Sequence, residues 1–373
     1  MKIVRTGAES SFDEMPIQVS WFLTARCNYR CSYCFHYGKG KRTPRQLPFS
    51  TLEQCKTAVK NIVSLNRPWY ELGLIGGEPI IHPHATDIIS MFYESLGERL
   101  DFVVVSTNGS RNDLFYQKVA DIGKYVYFRL NISIHTDHVE MAHILDLIKS
   151  LTGRVHIKFA LMLNPAKREM VHEIYDTLLE YRKKYFFQLE IPLLQDGDRI
   201  DPRHTQEDFD WQKKAVAQFN VVAKNAALKS PAVKRKFVNR LFRDMEVNDK
   251  IEHVLVRGSR AVELAQGLRN FKGMYCMAYT YVLRINEDGS FRGMVCGSDP
   301  YIGNIFEENV FLPIRDKLIH PVKCNYNICA CPSNDGIPKF ASEEDAKKFL
   351  EFARNRQMEL FAEYDAAHPF KKI

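Results

Sequence analysis

The first two hundred residues alternate between two hydrophobic periods, and that alternation limits the folds open to the chain. Short runs rich in β-branched and aromatic residues end in turn residues and give way to amphipathic stretches of helical period. Strands are predicted at Gln18–Thr24, Tyr70–Ile75, Leu100–Ser106, Val126–Ile134, Val155–Leu163 and Phe186–Leu194, with helices near 50–65, 83–96, 111–122, 137–151 and 166–184 between them. Such alternation builds a parallel sheet covered by helices. Six strands are too few to close an eight-fold barrel. The expected fold class is therefore α/β, a partial (β/α)6 TIM-like barrel over residues 15–200, with a smaller cysteine-rich domain at the C-terminal side.

Polar and unusual residues gather just after the predicted strands, at Cys27–Cys34, Gly76–Pro79, Thr107–Gly109, His135 and Asn164–Pro165. Parallel α/β folds bind ligands at the carboxyl ends of their strands, so these features converge on one mouth. Residues 201–271 read as a charged helical linker region. Its basic patch of Lys234, Arg235, Lys236, Arg240 and Arg243 is either a solvated helix face or an anion-binding surface. Residues 272–342 hold a predicted hairpin: a strand at Tyr279–Ile285, a turn at Asn286–Ser290 and a second strand at Phe291–Cys296. Ser342-Glu-Glu-Asp345 is a capping-box signal that opens a C-terminal helix within 343–373.

The start of the chain, Met1–Glu14, is polar, and no apolar run approaches the roughly 20 residues that span a membrane. A cytoplasmic protein is the expectation, and its nine cysteines then call for metal or redox chemistry, since reducing conditions disfavour structural disulfides. Cys55, alone in a helical stretch, reads as an inert buried thiol. The net charge of +7 mildly favours anionic partners but falls short of a dedicated nucleic-acid binder.

Cys27, Cys31 and Cys34 lie on one short loop directly after the first predicted barrel strand. Three thiolates can hold three irons of a cubane and leave the fourth iron open to a small chelating molecule. Structural zinc usually takes four protein ligands. Zinc therefore needs a further donor here, for which His36 is available.

The spacing of these cysteines, with Tyr33 just before the last, resembles the signature of the radical S-adenosylmethionine (SAM) superfamily. The resemblance implies a [4Fe–4S] cluster with one open iron that binds the amine and carboxylate of SAM. One electron then cleaves SAM to methionine and a 5′-deoxyadenosyl radical, which takes a hydrogen atom from the substrate. It also implies cofactor-binding roles for Tyr33 and Phe35 near the adenine, and for Gly76, Gly77, Glu78 and Pro79, which match the GGEP motif that holds the SAM amino group. Read alone, that turn simply brings backbone close to a ligand beside a carboxylate. Ser106, Thr107 and Asn108 match the segment that passes close to SAM, although the same residues suit a capped turn. Asn131, Ser133 and His135 alternate on one strand and share a face. The resemblance turns that face toward the ribose and carboxylate of SAM, while His135 also suits a strand-end position satisfied by backbone. Leu163 would back the adenine.

Cys276, Cys296, Cys324, Cys329 and Cys331 form a second group in a short stretch. Zinc and an iron–sulfur cluster both suit it. The stretch from Cys276 to Phe306 resembles the start of a SPASM or Twitch extension, which holds auxiliary clusters. The chain has fewer cysteines than the full SPASM pattern, so the resemblance implies one auxiliary [4Fe–4S] cluster on Cys276, Cys296 and two of the three tail cysteines.

The expected function is an oxidoreductase-type radical SAM enzyme acting on a small-molecule or peptide substrate, served by a flavodoxin- or ferredoxin-type reductant. Arg129, Lys158, Gln188 and Glu190 are candidate substrate contacts, and Glu190, Tyr279 and Tyr281 are the candidate catalytic residues. A ribosomal-peptide modifier making a crosslink or an epimer is the alternative enzyme. A metal scaffold that binds nucleic acid through the basic patch is the alternative without catalysis.

Overall fold

The computed structural model describes residues 2–6, 16–34, 47–67, 69–196, 199–225, 252–256, 270–293, 301–313, 320–327, 329, 337–352 and 355. The expectations for Phe35, Cys296, Cys331 and the basic patch at 234–243 lie outside these residues, as does the side chain of Tyr279.

After β1 (Lys2–Thr6) and β2 (Ile17–Thr24) come five helix–strand repeats: α1 (Leu52–Ser64) and β3 (Tyr70–Gly76), α2 (Ala85–Leu96) and β4 (Leu100–Thr107), α3 (Asp113–Ile122) and β5 (Tyr127–Ile134), α4 (Met141–Leu151) and β6 (His156–Leu161), α5 (Arg168–Arg182) and β7 (Gln188–Glu190). Two short strands, β8 (Gln195–Asp196) and β9 (Arg199–Ile200), lead to α6 (Gln206–Asn225). The remainder comprises β10 (Glu252–Val256), β11 (Tyr275–Cys276), β12 (Val282–Ile285), β13 (Ser290–Arg292), β14 (Gly303–Asn304), β15 (Val322–Lys323), β16 (Lys339–Phe340) and a helix α7 at 343–352.

Strands β2 to β7 stand side by side in chain order and all parallel. This is the α/β partial barrel of six strands that the alternating periods predict. Local chemistry sets the helix starts: Thr51 and Gln54 close a capping box on α1, with the Gln54 amide donating to Thr51 at 3.2 Å and the Thr51 amide to Gln54 at 2.9 Å. Ser342 caps α7 through the Asp345 amide at 3.1 Å. One face of each strand packs against the helices, with Leu74, Val103, Leu130, Ile157 and Phe159 fully buried, each contributing roughly 1.5–3 kcal/mol. The opposite face of β5 stays half-exposed through Arg129, Asn131 and Ser133, and lines an open, polar lumen. Register aligns Ser106, Asn131, Lys158 and Gln188 across four strands on that face.

The predicted C-terminal hairpin differs in two ways. Residues Ala278–Tyr281 form a helical turn, and the strand begins at Val282. The turn is fixed by packing, since Ala278, Tyr281 and Val282 share a core with Phe340 and Phe349. The hairpin also extends the barrel sheet: β12 pairs in parallel with β2, and β13 and β14 continue outward. A second sheet of five strands, ordered β10-β1-β16-β11-β15, collects the N-terminal strand with β11, which carries Cys276, and with β15 and β16 near the C-terminus. Among the described residues no helix is long and apolar enough to cross a membrane.

Candidate metal centre

β2 and β3 run in register until a shift between Phe22 and Thr24, where the cysteine loop leaves the sheet. Irregularities of this kind re-aim a chain beside a functional site. The loop is then strapped to the turn after β3 by backbone alone. The Gly77 amide donates to the Thr24 carbonyl at 2.7 Å, and the Glu78 amide to the Arg26 carbonyl at 2.8 Å. Both glycines are needed for this approach. A Cβ on Gly76 would lie 2.3 Å from the Thr24 oxygen, and one on Gly77 would lie 2.4 Å from the Arg26 oxygen. The close contact that the sequence assigns to a ligand is thus made with the cysteine loop itself.

Cys31 is buried, and Cys27 and Cys34 are half-buried. The Cys34 amide donates to the Cys31 carbonyl at 3.1 Å, closing a tight turn. Cys27 Sγ accepts from the Tyr29 amide at 3.4 Å and faces Asn108 Nδ2 at 3.7 Å. Burial, then repulsion from Cys34 and Cys27, pushes the Cys31 thiol up to about 12, and burial also raises Cys27. The loop therefore disfavours bare thiolates and suits them only once positive charge arrives, as metal binding requires. Among the described residues no three His, Cys, Asp or Glu side chains converge closely enough for a single metal ion. A cubane asks for less convergence, because each thiolate takes its own iron. The residues present fit a cluster held by three sulfurs; His36, the donor a zinc site would need, lies outside the described residues.

Glu78 is fully buried and acts as a clamp between loops. Its Oε2 accepts from the Asn108 amide at 2.5 Å and its Oε1 from the Ile80 amide at 3.2 Å. Burial pushes its carboxyl up to about 7, against the Asn108, Thr107 and Ile80 hydrogen bonds that pull it down. An acid with a raised folded-state pKa stabilises the fold least once ionised, so its contribution is lost as pH rises from about 4.5 through about 7. Glu78→Gln removes that dependence. Urea unfolding of iron-free protein at pH 5 and pH 8 is expected to shift the stability difference toward the variant by up to about 3 kcal/mol at the higher pH. The difference is the proper readout, because buried His82, His135 and His156, each lowered to about 4, slope the stability the other way. An equal difference at both pH values would exclude the raised carboxyl pKa.

The far wall comes from β5. His135 Nδ1 and the Tyr33 hydroxyl form a hydrogen bond of 3.0 Å, and burial holds the imidazole neutral with its pKa lowered to about 4. Asn131 Oδ1 is buried with no hydrogen-bond partner and sits on the lumen face with Ser133. Such an atom is open to a donor from a bound molecule or an ordered water. Thr107 Oγ1 and Asn108 Oδ1 accept from the Gly109 and Ser110 amides at 3.1 and 2.9 Å, and fix the turn after β4. Ser106 lies across from Asn131. Pro79 is buried in the first turn after the clamp, and Leu163 is fully buried in the core at the end of β6, paired with Leu193.

Glu190 is held by Lys158 at 2.5 Å on the lumen side. Tyr281 is not brought to this mouth. It directly precedes Val282, which pairs with Gln18 at the opposite end of β2, about 20 Å of strand from the cysteine loop. The reason is the helical turn that places Tyr281 in the C-terminal core. Tyr29 and His138, stacked at 4.5 Å, and Asn28, which accepts from Asn108 Nδ2 at 2.9 Å, join the site unannounced. Tyr29 carries a signal, an aromatic residue inside the cysteine loop. Glu287 carries none: from the distant hairpin turn, its Oε2 accepts from the Ala25 amide at 2.6 Å.

An open parallel barrel with a three-thiol loop at the carboxyl end of its first strand is an α/β protein with the donor set of a metal site. Residues 21–163 match the model of the radical SAM superfamily. That superfamily implies a [4Fe–4S] cluster and SAM. The GTP 3',8-cyclase of Sulfurimonas denitrificans is 28% identical over 183 residues, covering 47% of this chain and 54% of that protein. The chain thus spans about half the length of this relative, and only 31% of the GTP 3',8-cyclase of Paracoccus denitrificans, which is 31% identical over 114 residues. Among solved structures, native anSMEcpe with bound AdoMet is similar over 94% of this chain and 100% of that one, at 14% identity and a TM-score of 0.49.

Proposed function

We propose that the chain is a radical SAM enzyme of the oxidising type, which abstracts a hydrogen atom from a small-molecule or peptide substrate held in the barrel lumen. The observation that carries this reading is the three-thiol loop strapped by Gly77 and Glu78 to the mouth of a polar lumen. When bound, the cluster and SAM supply a 5′-deoxyadenosyl radical. The chain's own residues position and shield. Tyr33 and His135 close one side of the loop, Asn131 offers its unpaired oxygen, and neutral His135 adds no charge that would repel a sulfonium. In the lumen, Glu190 is the carboxylate proposed to take a proton, with Lys158 holding it in place.

The reading includes one auxiliary [4Fe–4S] cluster in the C-terminal lobe. Cys276, Cys324 and Cys329 supply described thiols there; the Cys324 amide donates to Met274 at 2.7 Å and the Gly273 amide to Cys324 at 2.8 Å, just before Cys276 in the chain, and Cys329 packs with Phe271, Met274 and Cys324. Cys276 shares a core with Val282, at the end of β2 opposite Cys27. A lumen substrate would then lie between the two sites, which favours electron removal. The positive net charge suits an acidic electron carrier of the flavodoxin or ferredoxin kind.

Anaerobic reconstitution, then dithionite and SAM, tests this reading. Formation of 5′-deoxyadenosine and about eight irons per chain are expected. About four irons would remove the auxiliary cluster, and no 5′-deoxyadenosine would remove the reading. The relatives named GTP 3',8-cyclase favour a second reading, ring closure on a purine nucleotide. GTP consumed in the same mixture, with a new cyclic product, would select it.

A further inference from the structure

Lys339 is 1% exposed. Full burial is rare for lysine, because taking an ammonium out of water is costly unless negative or polar groups face it. Its place in the fold is specific. On β16 it sits directly across from Cys276 on β11, in an antiparallel pair. Residues opposed in this way leave the sheet on the same side, with Cβ atoms about 4.5–5.5 Å apart. The Lys339 ammonium donates to the Ile337 carbonyl at 2.7 Å and stands 4.9 Å from the centre of the Phe271 ring. Phe271 in turn packs with Cys329, Met274 and Cys324. Lys339 therefore lies across from Cys276 and, through the Phe271 ring, one side chain away from Cys324 and Cys329.

The chemistry of a thiolate-ligated cluster complements that cation. The ligated cluster carries net negative charge, and reduction adds to it. A fixed positive charge close by, in a medium of low dielectric, stabilises the reduced form more than the oxidised one. We propose that Lys339 is the charge partner of the auxiliary cluster, a buried positioning residue that raises the reduction potential of that cluster and fits it to accept electrons. The proposal rests on the auxiliary-cluster reading given above and deepens it. Among the described residues the cation next to Cys31, Arg30, is exposed, and the other groups at hand are the hydrogen-bonding and aromatic side chains of Tyr33 and His135. The two clusters would thus be set for different work.

The test compares the full-length wild type with Lys339→Met and Lys339→Arg. Each is reconstituted anaerobically, its iron is counted, and both clusters are titrated by EPR-monitored redox titration. Heat unfolding of the iron-free chains runs alongside. Met matches the length of the stem without the charge, and Arg keeps the charge. Wild type and Lys339→Arg are expected to bind about eight irons. In Lys339→Met the reduction equilibrium of the second cluster is expected to shift at least tenfold toward the oxidised form, about 59 mV for a one-electron couple, while the N-terminal cluster keeps its potential. Selective loss of the second cluster from a folded Lys339→Met would also support the proposal. A shift below tenfold in a fully loaded variant would overturn it. So would an iron-free Lys339→Met that has lost its cooperative melting, because Lys339 would then serve the fold. Four irons in the wild type, or zinc in the second site, would instead overturn the auxiliary-cluster reading, and that result is visible before any variant is made.

Discussion

Cys31→Ala is expected to abolish 5′-deoxyadenosine formation and to lower the iron content by about four atoms per chain. Cys31 is the most enclosed of the three loop thiols, 6% exposed, and it lies beside Tyr33 and within the field of both other cysteines. Removing it leaves two sulfurs on a loop that has no spare donor among the described residues able to complete a metal group. Cys55→Ala is the matched control. Cys55 is fully buried in α1, with its sulfur 3.4 Å from Ser50 Oγ. Its replacement should leave iron content and SAM cleavage unchanged. Iron analysis and chromatography of the SAM products check both outcomes. Undiminished 5′-deoxyadenosine from Cys31→Ala would end the case for this loop.

Gly77→Ala is expected to be nearly as damaging, through backbone rather than ligand loss. The added methyl would meet the Arg26 oxygen at 2.4 Å and the Ala25 oxygen at 2.5 Å, and neither is the movable end of a side chain. The loop must retreat, which breaks the Gly77–Thr24 and Glu78–Arg26 hydrogen bonds. Overpacking of this kind costs about 1–3 kcal/mol. Because the strain falls on the cysteine loop, cluster loading should fall much more than global stability. Reconstituted iron per chain, measured beside urea unfolding of the iron-free form, separates the two effects. Full loading with wild-type stability would mean that the strap between the loops is dispensable.

The barrel was legible because its elements advertise themselves locally. β5 alternates along its whole length, and Thr51 with Gln54 announces the start of α1. The cysteine loop and the turn at Gly76–Glu78 were legible as a short motif placed after a strand. What escaped was decided by distant partners. The polar first residues give no hint that Lys2–Thr6 pairs with Glu252–Val256 and with β16. Tyr279–Ile285 reads as one strand, yet packing around Phe340 and Phe349 bends its first half into a helical turn and carries Tyr281 away from the mouth. The clamp made by Glu78 was visible as a carboxylate but not as a tie to Asn108, since that contact joins the ends of two different strands. Lys339 looks in sequence like any surface lysine, and only its strand pairing places it beside Cys276.

The parallel addition of β12 to β2, with Glu287 gripping the Ala25 amide across 262 residues of chain, has a consequence for biogenesis. A nascent polypeptide folds largely from its N-terminal side as it leaves the ribosome. While translation proceeds, β2 is a bare sheet edge of the kind that invites aberrant pairing, and the loop carrying Cys27 lacks its carboxylate anchor. The finished geometry of that loop therefore exists only after residues 282–287 have emerged, so a cofactor inserted into the completed site must arrive after β12 and its turn have been made.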